Sequence, residues 1–461
     1  MATPNEFIVK GETGKKLDER LTPLVQDVMR SRQLPGMAIG VVADNEMVYA
    51  RGFGVKRTGT REPISMTTVF HMASVSKPFV ATAIMQLVEQ GQVQLDAPVM
   101  TYLPYFELAD DRYREINIQQ MLSHVSGMPD VEGYDWDKPE YDEGALERYV
   151  RSVSGRKLLS EPGTQFAYSN LAFECLGDVI AKVSGMPFDD YVKVHILNPA
   201  GMAESSFLMP AHLPENWAAP HVRVVTDIAW KGYPYNRSHG PSSTLHSNAV
   251  EMCNWAIANL RRGTIGSKRI LSALAYDLLW KPWFDIGEGR QAGLSWFLAE
   301  YHGEKTVEHG GGDVGFTSQL ILLPDKRSAA VVLCNLIPAP LGTIARSALD
   351  LLLGQQPAPI LPSASQPVYQ TLSAEGVDAA AAQWSRLRSD HPDEYDWTSP
   401  VPNLYNAAMM HRAKDAGRIA GLCARILPEP EVKAIEEILS AHPSRAATAA
   451  LRAIRAHRQG A

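Results

Sequence analysis

An α+β fold is predicted: a three-layer α/β/α sandwich whose antiparallel sheet is built from both ends of residues 1–353, with a helical insertion between, followed by an all-α C-terminal segment. Three observations predict it. Two sheet-forming blocks, near residues 37–54 and 317–335, stand far apart in the chain. The stretch between them is mostly helical in pattern, with long loops. After residue 353 the composition shifts to Pro, Ala, Ser and Gln, and then to alanine-rich helical sequence.

The elements follow in order. Met37–Ala43 reads as a strand, Asp44-Asn45-Glu46 as a turn, and Met47–Gly54 as its hairpin partner. Residues 78–90, "PFVATAIMQLVEQ", have helix-forming composition, and Gly91 stops them. Over 171–183, Leu171, Leu176, Val179, Ile180 and Val183 share a helical face that Gly185 ends. Phe316–Leu323 and Ala329–Cys334 flank the turn signal Pro324-Asp325-Lys326 and read as a second hairpin. The sheet part is expected at 17–75 and 290–353, and the helical part at 76–289. Residues 354–370, "GQQPAPILPSASQPVYQ", have linker composition, and 371–461 read as a small domain of short helices.

The stretch "VEHGGGDVGFTSQLILLP", residues 307–324, contains Gly310-x-Gly312-x-x-Gly315, the glycine pattern of a dinucleotide-binding turn. That turn must open a helix, because the pyrophosphate rests on the helix N-terminus. Here the glycines precede a strand, so no phosphate cradle is expected. Glycine instead permits close approach of the backbone to a ligand or another segment.

Composition narrows the partners. The chain is 45% hydrophobic and 21% charged, with net charge -7. No large basic patch is evident, so nucleic acid is not an expected partner. No apolar stretch is long enough to span a bilayer. The N-terminus lacks the charged start and apolar core of a signal peptide. A cytoplasmic protein is expected, or a periplasmic or secreted one if an export signal was removed. Cys175, Cys253, Cys334 and Cys423 show no metal-type spacing, and no metal or cofactor is expected.

Candidate chemistry sits in three places. Ser74-Val75-Ser76-Lys77 precedes the strong helix, and residues i and i+3 share a face. A serine hydroxyl needs a base, and a lysine amine one turn on can serve if its pKa is pulled down by desolvation or a nearby cation. The same spacing recurs at Ser154 and Lys157, in a loop with nothing to hold the pair. Tyr168-Ser169-Asn170 precedes the helix at 171–183. There the tyrosine can relay a proton, and the asparagine can hold a substrate amide or the lysine. Ser169 or Asn170 also suits the helix N-cap. His309 can polarise Tyr168 or the substrate, or simply be structural. A backbone N–H near Gly312 can face an oxyanion.

Together these motifs, with the stretches "LPGMAIGVVADNEMVYARGFG", "LSHVSGMPD", "EPGTQFAYSN" and "GPSSTLHSNAVEMCNW", resemble the serine beta-lactamase and penicillin-binding-protein superfamily. The resemblance is to its class C-like branch of esterases, D-amino-acid peptidases and amidases, over residues 20–353. It implies that Ser74 is the acylated nucleophile and Lys77 its base, with Tyr168 shuttling the proton and Asn170 positioning the substrate. It also implies an oxyanion hole from the Ser74 and Gly312 N–H groups, a shift of one residue to Gly311 being permitted. Many penicillin-recognising members carry Lys-Thr-Gly where this chain has His309-Gly310-Gly311. The missing lysine removes a cation that would meet a substrate carboxylate.

Two aromatic loops complete the expectations. Tyr134 and Trp136, with Trp230, Tyr233 and Tyr235, are expected to line part of an acyl-binding cleft or to be ordinary loop packing. His124 is read as structural. The reading is a serine hydrolase acting on a small-molecule or peptide substrate, of esterase or D-aminopeptidase/amidase type. An acyltransferase using the same acyl-enzyme and a non-catalytic binding protein are the alternatives. A homo-oligomer through the C-terminal helices is a further expectation.

Overall fold

The computed structural model describes residues 7–210, 212–225, 227–230, 232–441 and 444–460. Nine strands form one antiparallel sheet: Ile8–Val9 (β1), Gly36–Ala43 (β2), Glu46–Gly54 (β3), Phe284–Gly287 (β4), Arg290–Ala292 (β5), Phe297–Tyr301 (β6), Glu304–Asp313 (β7), Phe316–Leu323 (β8) and Ser328–Cys334 (β9). Their order is β1-β3-β2-β9-β8-β7-β6-β5-β4. The two ends of the chain meet where β9 pairs with β2, from Cys334↔Met37 to Ala329↔Val42.

Both faces of this sheet are covered, so its central strands are apolar on both sides. Alternate residues of β9 go opposite ways: Ala329, Val331 and Leu333 into one core, Ala330, Val332 and Cys334 into the other. Helices Gly11–Arg32 (α1) and Leu341–Leu352 build the second core. Ala249–Leu260 packs the first face closely enough that a Cβ at Gly40 would lie 2.4 Å from Cys253 Sγ. The helical insertion, including Lys77–Glu89 (α2) and Asn170–Ser184 (α3), shares that core.

Four features differ from expectation. Strands β1 and β4 lie outside the expected sheet limits, both being too short to carry a periodicity. The expected linker 354–370 holds the start of the helix Ser365–Ala374, in whose first turn Pro367 is tolerated because its missing N–H would have no partner there. The glycines 310–312 do precede the strand β8, but they are themselves in a strand as well. They are the end of β7, which pairs with β8 from Val307↔Leu322 to Asp313↔Phe316. Glycine weakens a strand and offers no side-chain pattern, so the strand is hidden in the sequence.

Among the described residues, helices from Ser365–Ala374 to Arg445–Gly460 form a C-terminal bundle. Its core also takes in Val222, Val224 and Val314 from the sheet-bearing part. Asn406 Nδ2 donates to the carbonyls of Arg223 and Ile337, and the buried Arg32 pairs with Asp396 at 2.7 Å. The bundle is therefore docked on the hairpin end of β7 and β8.

Candidate active site

Ala73–Ser76 forms a 3-10 turn that runs into α2, with the Lys77 N–H donating to the Ser74 carbonyl. In a 3-10 turn side chains i and i+3 eclipse, which brings hydroxyl and amine together. Lys77 Nζ lies 3.1 Å from Ser74 Oγ. Ala73 holds φ 49, a left-handed conformation strained for a residue with a Cβ and common at active sites.

Lys77 is fully buried and has two further acceptors, Asn170 Oδ1 at 2.6 Å and the Ser242 carbonyl at 2.8 Å. Burial pulls its pKa down from 10.5 to about 7, against the charges of Glu174, Asp130 and Asp313. The neutral amine can keep two N–H donors on Asn170 and Ser242 and turn its lone pair to the Ser74 hydroxyl.

Asn170 opens α3, and Ser169 caps it by accepting from the Ala172 N–H at 3.1 Å. Of the two capping candidates the structure selects Ser169, which leaves the Asn170 amide free for the lysine. Asn170 Nδ2 donates to Asp130 Oδ1 at 2.9 Å, and its backbone N–H reaches the same oxygen at 2.8 Å. Both ends of the amide are thus held inside the protein, so Asn170 aligns Lys77 directly.

The Tyr168 ring centroid is 4.9 Å from Lys77 Nζ. Burial raises the phenol well above its ordinary pKa; a hydrogen bond to Ser74 opposes the rise and the charge of Asp130 adds to it. Tyr168 is therefore a neutral hydroxyl near pH 7. His124 stacks on it with centroids 4.2 Å apart. His124 Nδ1 accepts from the Ser169 N–H at 3.1 Å, and burial, then the Lys77 charge, hold its pKa well below 6.5. His124 is structural in that it fixes the ring and backbone of the Tyr168–Asn170 segment.

The opposite wall is the glycine end of β7. Beyond the pair Phe297↔Glu308, β6 no longer covers β7. A Cβ at Gly311 would lie 2.3 Å from the Met72 carbonyl oxygen and 3.1 Å from the Ser74 nitrogen, so only glycine lets this strand approach the nucleophile. Gly312 is exposed beside it.

His309 is buried, and its Nδ1 donates to the Gly310 carbonyl at 2.7 Å. Burial, then the Lys77 charge, lower its pKa to about 3, against that hydrogen bond. The ring is neutral and cannot replace a cation. It packs against Phe297 at 5.3 Å.

The aromatic expectations divide. Tyr134 stacks on Trp136 at 4.7 Å, and Trp136 Nε1 donates at 3.2 Å to Asp313 Oδ1, one residue past Gly312. Tyr233 packs on His71, Trp217, His246 and Phe316, none of which is a proposed reacting group. Tyr235 packs on Tyr141 and His246, and Trp230 against the C-terminal core. Tyr235, almost wholly buried, follows the packing alternative.

Sequence reasoning missed Asp130, Glu174, Ser242 and Asp313. Glu174 accepts from Ser242 Oγ at 2.5 Å and thereby holds the carbonyl that receives Lys77. Asp130 and Ser242 fall inside stretches already noticed, "LSHVSGMPD" and "GPSSTLHSNAVEMCNW", but nothing in their spacing reveals a partner. A cavity of about 1330 Å³ lies between β4–β7 and Arg346 and contains none of Ser74, Lys77 and Tyr168.

A family model described as Beta-lactamase matches residues 21–353. Penicillin-binding protein 4 of Amycolatopsis lactamdurans is 28% identical over 67% of this chain and 83% of its own length. Esterase EstB of Burkholderia gladioli is 31% identical over 44% of this chain and 55% of its own length. The octameric penicillin-binding protein homologue from Pyrococcus abyssi superimposes with TM-score 0.64 at 26% identity, covering 77% of this chain and 81% of that one.

Proposed function

Because the chain belongs to the beta-lactamase family of serine hydrolases and their relatives, we propose that it cleaves an ester or amide through a covalent acyl-serine, as a carboxylesterase or a D-amino-acid peptidase or amidase. The observation that carries the reading is Lys77: fully buried, 3.1 Å from Ser74 Oγ, and with a pKa of about 7. A base poised near the working pH combines availability with proton affinity.

The proposed steps make use of that geometry. Neutral Lys77 takes the Ser74 proton as Oγ bonds to the substrate carbonyl carbon. The oxyanion is received by the backbone N–H groups of Ser74 and Gly312. Collapse expels the leaving group, which takes a proton from the Tyr168 hydroxyl, and Lys77 restores the proton to Tyr168. Water then adds to the acyl carbon, losing its proton through the same pair, and Ser74 leaves re-protonated. Asn170 keeps Lys77 aligned throughout.

The neutral His309 at the third motif argues against substrates that depend on a carboxylate. Short esters and D-aminoacyl amides fit better than beta-lactams. The test is mass spectrometry after a fluorophosphonate or a short p-nitrophenyl ester. An adduct on Ser74, absent in Ser74→Ala, is expected; an unlabelled Ser74 with no turnover of any ester or amide overturns the reading. A homo-oligomer through the C-terminal helices is a separate proposal, checked by mass in solution.

A further inference from the structure

Asp313 closes β7, one residue past Gly312, and its side chain is almost wholly buried. Its Oδ1 accepts from Trp136 Nε1 at 3.2 Å and from the Val314 N–H at 2.7 Å. Its Oδ2 accepts from Ser243 Oγ at 2.7 Å, and His71 Nε2 lies 3.3 Å away. Each partner belongs to a segment that carries a reacting or aligning group. His71 lies three residues before Ser74. Ser243 follows Ser242, whose carbonyl receives Lys77. Trp136 is on the loop that begins with Asp130, the anchor of Asn170. Val314 turns the hairpin that ends in the glycine wall.

We propose that Asp313 is a positioning residue, a buried carboxylate that ties the nucleophile turn, the lysine acceptor, the Tyr134–Trp136 loop and the oxyanion strand into one rigid constellation. This rests on the hydrolase reading above. The tie is anchored from outside as well. Val314 belongs to the core of the C-terminal helices, and Trp136 packs on that core. The C-terminal bundle thereby braces the wall of the cleft.

Asp313 has the charge its role requires. Burial raises its pKa, but the hydrogen bonds from His71 and Ser243 and the Val314 N–H outweigh that and hold it below the usual carboxylate value. Its partners donate to it, so an amide in its place would turn a donor toward donors. Asp313 also stands with Glu174 and Asp130 among the anions that support the protonated Lys77. The other titratable rings around Lys77 are Tyr168, His124 and His309, none of which carries charge near neutral pH.

The experiment uses the full chain, wild type, Asp313→Asn, Trp136→Phe and Ser243→Ala, on a short p-nitrophenyl ester from pH 5.5 to 9.5. Circular dichroism and thermal unfolding report folding. Asp313→Asn is expected to lower kcat about 10- to 100-fold with KM little changed, the scale of a displaced reacting group. The acid limb of its profile is expected to move to lower pH, because Lys77 loses one supporting anion. Trp136→Phe and Ser243→Ala each cut one tie, so kcat falls less and the limb stays. A folded Asp313→Asn protein with wild-type kcat, or with lower kcat and an unmoved limb, overturns the proposal. If Asp313→Asn does not fold, wild-type kcat in both single-tie variants overturns it. Equal fluorophosphonate labelling of Ser74 in wild type and Asp313→Asn sinks the hub and leaves the hydrolase standing; a wild type unlabelled at Ser74 sinks both.

Discussion

Lys77 Nζ stands 3.1 Å from Ser74 Oγ with no carboxylate in direct contact with the amine. Its acceptors are a hydroxyl, an amide oxygen and a backbone carbonyl, and burial outweighs the support that Glu174, Asp130 and Asp313 give the charged form. Activity should therefore depend on one deprotonation. We expect kcat/KM to rise with pH through a midpoint of about 7. Lys77→Met should lower acylation about 10²–10⁴-fold and abolish that limb. Stability carries the same sign. The folded pKa lies below the ordinary 10.5, so burying charged Lys77 penalises the fold fully below about 7 and less as pH rises toward 10.5. The difference in thermal midpoint between Lys77→Met and wild type should favour the variant more at pH 6 than at pH 10.

Gly311 tests the wall opposite Ser74. A methyl there meets the Met72 carbonyl at 2.3 Å, and backbone cannot swing aside as a side-chain tip can. Gly311→Ala should cost about 1–3 kcal/mol of stability by overpacking. The variant should lose turnover by more than its unfolded fraction explains, as measured by active-site titration beside denaturant unfolding.

His309 separates the esterase-like reading from beta-lactam hydrolysis. Its pKa of about 3 predicts a neutral ring at every working pH. Its ring resonances in NMR should not titrate between pH 5 and 8. In a side-by-side assay, a chromogenic cephalosporin should be turned over far less efficiently than a short ester.

The C-terminal helices should not be dispensable. Their core encloses Val222, Val224 and Val314 from the sheet-bearing part, so removing residues 356–461 would uncover a large apolar surface. The truncated chain should aggregate or melt at a lower temperature, and lose ester turnover in its soluble fraction. A truncated protein with wild-type melting and turnover would contradict the docking described above.

Legibility varied with the range of the interaction. Helix α2 was readable because apolar residues and a stop glycine act within the helix itself. Ser74 and Lys77 were readable as a pair because one helical turn sets their separation. Strand β7 was hidden because three glycines leave no side-chain alternation to detect. Tyr233 and Trp136 look alike in sequence, yet Trp136 donates to Asp313 while Tyr233 packs on His71 and Phe316, since packing and not residue type decides which way a loop aromatic turns.

The amino-acid sequence by itself determined the local pieces of this protein: two hairpins, the helices α2 and α3 and the Ser-x-x-Lys turn, because backbone preference and short-range periodicity need no distant partner. Only the tertiary structure decided which groups surround Lys77, which amide hydrogen bond orients Asn170 and where Asp313 is anchored. Those contacts join residues far apart in the chain, and the burial that moves the lysine pKa exists only once the sheet and helices have closed around it.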